Sequence, residues 1–207
     1  MAKEGLIFVI ICLVLAVAVR VALPSGRVAL ALLILLAAFS AFFFRDPQRS
    51  APKGDHLILA PADGKVVFVG EVEGGHFFDV SANKVSIFMS LLDVHVNRAP
   101  VSGLVKKIIY NEGSFFKANT DKASLDNEQN WVIIEKDADR LAFVQIAGLV
   151  ARRIVCKISE GQVLTKGEKV GLIMFGSRVD LYLPRKWKIT VREGDRVRAG
   201  ESVVGEL

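Results

Sequence analysis

The chain has 207 residues, enough for one domain of ordinary size and an appendage. Its formal charge is +5, and Lys3, Arg20 and Arg27 against Glu4 place +2 of that in residues 1–44, so the remaining +3 is too sparse for a nucleic-acid surface. Cys12 and Cys156 stand alone in dissimilar surroundings, which excludes a disulfide framework and a metal site built on cysteine spacing.

Hydrophobic residues make up 52% of the chain, and the excess lies at its start. Gly5 to Leu23 is apolar apart from Arg20, and Val28 to Phe44 carries no charge. Between them, Pro24-Ser25-Gly26-Arg27 is a turn rich in helix breakers. A helix needs about 20 apolar residues to cross a bilayer, and both segments stand at the short end of that range. No small-residue cleavage site followed by a polar start is present, so a removed signal peptide does not account for the pattern. The expectation is a membrane hairpin of two helices over residues 1–46, followed by a domain over 47–207. Lys3, Arg45, Arg49 and Lys53 would share one side, expected to be the cytoplasmic face of the cell membrane. Phe42-Phe43-Phe44 suits the interface, Pro47 stops the helix, and Arg49 to Asp55 reads as a linker.

From Leu57 onward the runs become short, β-branched and separated by Gly, Asp and Asn. Val66–Val69, Val85–Met89, Trp131–Ile134, Leu141–Ile146, Val170–Met174 and Val179–Leu183 read as strands, and no sustained helical period appears. The expected fold is an all-β barrel or sandwich. Glu160-Gly161-Gln162-Val163 followed by Lys166-Gly167-Glu168 echoes Glu193-Gly194-Asp195-Arg196-Val197 followed by Ala199-Gly200-Glu201. Repeated Gly-turn–Val units of this kind suit similar hairpins packed together, and they resemble the turns of biotinyl/lipoyl-type barrel-sandwich domains.

Three patterns carry candidate chemistry. Ala60-Pro61-Ala62-Asp63-Gly64-Lys65 is on its face a hairpin turn. Leu92-Asp93-Val94-His95-Val96-Asn97-Arg98 would, as a strand, put Asp93, His95 and Asn97 on one face. His95 is the best general base available, because neutral imidazole titrates near working pH and the competitors His56 and His76 lie in linker-like and Gly-rich surroundings. The third pattern, Met174-Phe175-Gly176-Ser177-Arg178-Val179-Asp180, contains a Gly-Ser pair that Gly113-Ser114 duplicates, with no Gly-x-Ser-x-Gly elbow to mark a hydrolase nucleophile.

Taken in order, these motifs carry a resemblance. Phe44-Arg45-Asp46-Pro47, Ala60-Pro61-Ala62-Asp63-Gly64, Leu92 to Pro100, Asn119-Thr120-Asp121-Lys122-Ala123-Ser124 and Phe175 to Asp180 resemble the short class of phosphatidylserine decarboxylase proenzymes. The resemblance implies processing at Gly176–Ser177, with Asp63, His95 and Ser177 as the processing residues, and no metal. It implies a β chain of residues 1–176 and an α chain of 177–207, whose first residue becomes a covalent pyruvoyl group. That group would form a Schiff base with a phosphatidylserine or archaetidylserine headgroup, because losing carbon dioxide from an amino acid needs an electron sink. Longer members carry two histidines three positions apart and a Leu-Gly-Ser-Thr. Here Arg98 stands at the second histidine position and the tetrapeptide reads Phe-Gly-Ser-Arg, so the division of labour at His95 between processing and decarboxylation stays open.

The implied partners are a membrane phospholipid and the chain's own two fragments. A homo-oligomer is compatible with the sequence, and nucleic acid is not expected. Arg185-Lys186-Trp187-Lys188 would serve equally as a headgroup contact or as a solvated strand end. The rival reading is a membrane-tethered carrier or adaptor, since Asp121-Lys122-Ala123 resembles a lipoylation tripeptide, a short match with many chance occurrences.

Overall fold

The structure is a computed structural model that describes residues 1–23, 25–73, 81–113, 127–148, 153–174 and 177–207. It divides into two units, Met1–Gln48 and Arg49–Leu207.

The first unit is a helical hairpin of α1 (Lys3–Ala22) and α2 (Arg27–Phe43). The Ala2 amide donates to the Phe44 carbonyl at 2.8 Å, and the Phe8 and Phe44 rings stack with centroids 5.6 Å apart, so the start of α1 lies beside the end of α2. Helix α1 is long and apolar enough to cross a membrane, whereas α2, equally apolar, has 17 residues. Ile7, Val14, Val17, Val28 and Leu35 are exposed along the hairpin, a surface compatible with membrane association.

The second unit is built of strands, as the short β-branched runs predict. In chain order they are β1 (Leu57–Leu59), β2 (Gly64–Val72), β3 (Ala82–Met89), β4 (Val96–Arg98), β5 (Gly103–Asn111), β6 (Gln129–Lys136) and β7 (Asp139–Ala147). There follow β8 (Ile154–Cys156), β9 (Val163–Leu164), β10 (Lys169–Ile173), β11 (Ser177–Pro184), β12 (Lys188–Ile189), β13 (Arg196–Val197) and β14 (Val203–Glu206). Eight of them form a curled antiparallel sheet in the order β13-β2-β3-β11-β7-β6-β5-β9. Among the described residues there are also two smaller sheets, β1-β14-β12 and β4-β10-β8.

Strand β11 is central, paired with β3 on one side and β7 on the other. Alternation along it sends Val179, Leu181 and Leu183 into the core, where they join Val85, Ile87, Met89, Phe143 and Ile134. The opposite face carries Arg178, Asp180 and Tyr182. Arg178 Nε lies 2.9 Å and Lys84 Nζ 3.0 Å from the fully buried Asp180 carboxylate, and Tyr182 stacks on Trp131. Burial pushes the Tyr182 hydroxyl above the usual tyrosine range.

The echoing Gly-turn units occupy matching places, at the two edges of the large sheet. Gly161 donates to the Val105 carbonyl at 2.8 Å and Gly194 to the Val66 carbonyl at 2.9 Å, while Gly167 donates to Ala99 and Gly200 to Ala60, both at 2.9 Å. All four glycines have positive φ, between 72° and 98°. The segments they bind are also a repeat: Ala60-Pro61-Ala62-Asp63-Gly64-Lys65-Val66 aligns with Ala99-Pro100-Val101-Ser102-Gly103-Leu104-Val105. The two copies bond each other reciprocally, Leu59 N–H to the Pro100 carbonyl and Arg98 N–H to the Pro61 carbonyl, both at 2.9 Å. The two Gly-turn units and the two Ala-Pro segments they bind thus form a structural repeat.

Candidate active site

Ser177 is the first residue of β11, opposite Met89 of β3 and Ala147 of β7. It is fully buried and shares the core-facing side of the strand with Val179. Its hydroxyl donates to the Met89 sulfur at 3.4 Å, and a thioether is a weak acceptor. Among the described residues no strong donor is given to the hydroxyl oxygen. Gly176 lies outside the described residues.

The same sulfur accepts from Asn97 Nδ2 at 3.7 Å. Asn97 Oδ1 accepts from Gln145 Nε2 at 2.9 Å, and Gln145 Oε1 from Asn130 Nδ2 at 2.9 Å. All three amides are buried, so a neutral polar seam runs from β6 through β7 and β4 to the sulfur beside Ser177. Each amide in it is oriented by its neighbour.

His95 is 2% exposed and sits just before β4. Its Nδ1 lies 3.0 Å from the carbonyl oxygen of Asp93. A carbonyl only accepts, so in the neutral ring Nδ1 carries the proton and Nε2 is the basic nitrogen. The His95 carbonyl accepts from Ile173 N–H at 3.3 Å, tying the histidine segment to β10, the strand that leads towards Ser177. The expected alternation of Asp93, His95 and Asn97 along one strand is not what forms. Asp93 is in a turn, its carboxylate accepting from the Ser90 amide at 2.8 Å and the Ser90 hydroxyl at 2.7 Å, and this local cap delays the strand until Val96.

Asp63 lies in the turn between β1 and β2 and is buried. One oxygen accepts from the Ala199 amide at 2.7 Å, and the other from Arg49 at 2.8 Å. Arg49 also reaches Glu201 at 2.7 Å. Burial pushes the Asp63 carboxyl above its ordinary range, opposed by the Ala199 amide and the Arg49 charge and reinforced by Asp93. The carboxylate is therefore turned towards Arg49 and Ala199, and Nδ1 of His95 is held by a backbone carbonyl. Nothing in the spacing of Arg49 marks it out in the sequence.

The remaining expected residues fall as follows. His56 is exposed in the segment before β1. Arg98 is buried and donates to the Gly167 carbonyl at 2.9 Å, within the turn repeat. Trp187 is a core residue, while the exposed Arg185 and Lys186 pair with Glu71 and Asp139 at 2.6 Å and 2.8 Å. His76, Ser114, the Asn119–Ser124 motif with Lys122, and Gly176 lie outside the described residues. Among the described residues, no group of three or more His, Cys, Asp or Glu side chains gathers where it could hold a metal ion.

A family model described as phosphatidylserine decarboxylase matches residues 36–205. A phosphatidylserine decarboxylase proenzyme of Magnetococcus marinus is 47% identical over 207 residues, covering 100% of this chain and 94% of that one. The proenzymes of Syntrophotalea carbinolica and Syntrophus aciditrophicus are 48% and 47% identical, covering 90% and 81% of this chain and 87% and 79% of their own.

Proposed function

The chain belongs to the phosphatidylserine decarboxylase family, and on that premise we propose that it makes its own reactive carbonyl by breaking the Gly176–Ser177 bond. It is a carboxy-lyase. The observation that carries the proposal is the placement of Ser177, fully buried at the head of the central strand with its hydroxyl directed at a weak acceptor.

In the proposed processing the Ser177 oxygen attacks the Gly176 carbonyl carbon, and Nε2 of His95 accepts the hydroxyl proton. The peptide C–N bond breaks as an ester forms, and the nitrogen becomes the free amine of Ser177. Loss of the Ser177 α-proton then expels Gly176 as a carboxylate and leaves a dehydroalanine, which tautomerises and takes up water to release ammonia. Asp63 lends negative charge to a buried site in which an imidazolium forms. A pyruvoyl group at position 177 would supply a carbonyl able to accept a substrate amine and to act as the electron sink that loss of carbon dioxide requires.

The residues present fit that group. Ser177 lies where bulk water is excluded, which protects a reactive carbonyl from side reactions. The fragment from 177 onward holds β11, β12, β13 and β14, so it contributes the central strand of one sheet and the middle strand of another. Cleavage would leave it anchored by those ladders. The substrate is a phospholipid with a serine headgroup, met at high local concentration by a chain whose hairpin lies in the same membrane, with the β domain on the cytoplasmic side. Replacing Ser177 by Ala tests the reading: the variant is expected to remain one polypeptide and release no carbon dioxide from phosphatidylserine, and full activity would refute it.

A further inference from the structure

We infer that Arg49 is a positioning residue for Asp63, held between Asp63 and Glu201 to keep the Asp63 carboxylate charged and fixed in place. The inference rests on the reading that Gly176–Ser177 is cleaved. The structural repeat supplies an internal control. Asp63 and Ser102 are equivalent positions, and so are Ala199 and Lys166. The Ala199 amide donates to Asp63 at 2.7 Å, and the Lys166 amide donates to the Ser102 hydroxyl at 2.9 Å. The turn therefore needs only an acceptor at this place, and a neutral hydroxyl provides it. The negative charge of Asp63 is surplus to the fold.

That surplus charge is desolvated, a condition that favours protonation. Arg49 counters it. Its side chain is 9% exposed, and its two terminal nitrogens lie 2.8 Å from Asp63 and 2.7 Å from Glu201. A planar fork held at both tips has little freedom to leave either carboxylate. Other charges face the same spot. Asp93, in the turn after β3, repels Asp63 and is itself 3.5 Å from Arg196. Arg198 lies beside Glu201, and Arg98 of β4 packs against Gly200. Among these cations, Arg49 makes the direct contact with Asp63.

The test follows cleavage of the full chain, synthesised cell-free into lipid nanodiscs, as a function of pH. Wild-type cleavage is expected to fall on acidification as both the base His95 and the carboxylate of Asp63 take up protons. Arg49→Ala should move this acid limb upward by about one pH unit, the effect of removing a cation within hydrogen-bond reach of a carboxylate. Arg49→Lys should restore most of the shift, and Glu201→Gln should leave the limb at or below its wild-type position. Arg49→Gln, which keeps donors but loses charge, carries the same test should the alanine variant not fold. An unshifted limb in the neutral variants overturns the inference, as does a loss equal at every pH that lysine does not relieve. A wild-type chain that stays whole at every pH would instead refute the cleavage reading itself.

Discussion

Asp63 and Ser102 hold the same place in two copies of one turn, each accepting a backbone amide, from Ala199 at 2.7 Å and from Lys166 at 2.9 Å. One copy keeps a hydroxyl and the other a buried carboxylate. The difference separates what the fold requires from what the chemistry requires.

Asp63→Ser should therefore fold and fail to process. Burial holds the Asp63 carboxyl above its ordinary range. A group raised in this way contributes stability below its unfolded pKa and loses it as pH rises through the folded value. The contribution lost in the variant therefore shrinks as pH rises, and Arg49 keeps Glu201 as its partner. Its melting temperature at pH 7 is expected to be no lower than that of uncleavable Ser177→Ala, with no cleavage on gels. A well-folded, fully processed variant would remove Asp63 from the mechanism.

Asn97→Ala breaks the amide seam and leaves Gln145 Nε2 without its acceptor in a fully buried setting. Stranding a buried donor costs about 2 kcal/mol, or about 4–8 °C in Tm for a domain of this size. Thermal unfolding followed by circular dichroism checks it, and an unchanged Tm would show that the seam is dispensable.

Gly64→Ala should disturb the large sheet itself. At φ +154° a Cβ on Gly64 would fall on the Phe88 carbonyl oxygen, pressing β2 away from β3 just after Asp63. The equivalent Gly103 has the same problem, its Cβ meeting the Glu135 carbonyl at 2.5 Å. Each substitution should cost about 1–3 kcal/mol or more, read in the same unfolding experiment.

The two fragments should remain together after cleavage. Ser177 to Pro184 pairs residue by residue with β3, and Ser177 to Tyr182 with β7. A tag at Leu207 is expected to recover the 1–176 fragment in mild detergent and to lose it in denaturant. Recovery of the short fragment alone under mild conditions would contradict the sheet order.

Much of this architecture is legible in the sequence. The helices announce themselves through long uncharged runs, and six strands through short β-branched runs between turn residues. Ser177 and Asp63 are visible through their motifs, and His95 also through its chemistry. Other features are hidden for physical reasons. The two-residue strands β9 and β13 have no period of their own and exist because the Gly-turns dock on β5 and β2. The repeat of 60–66 in 99–105 is masked by unlike residues at Asp63 and Ser102, although Ala-Pro-x-x-Gly-x-Val recurs in both. Arg49 cannot be read locally, since its partners stand 14 and 152 positions away. Asp93 misleads because an aspartate in an alternating run resembles a strand residue until its own cap on Ser90 is seen.

The intact mass of the mature wild-type protein tests the central claim most directly. Two polypeptides are expected, one ending at Gly176 and one beginning at position 177, the latter lighter by one ammonia than simple hydrolysis would give. A catalytically active protein with the mass of the uncut chain would contradict it.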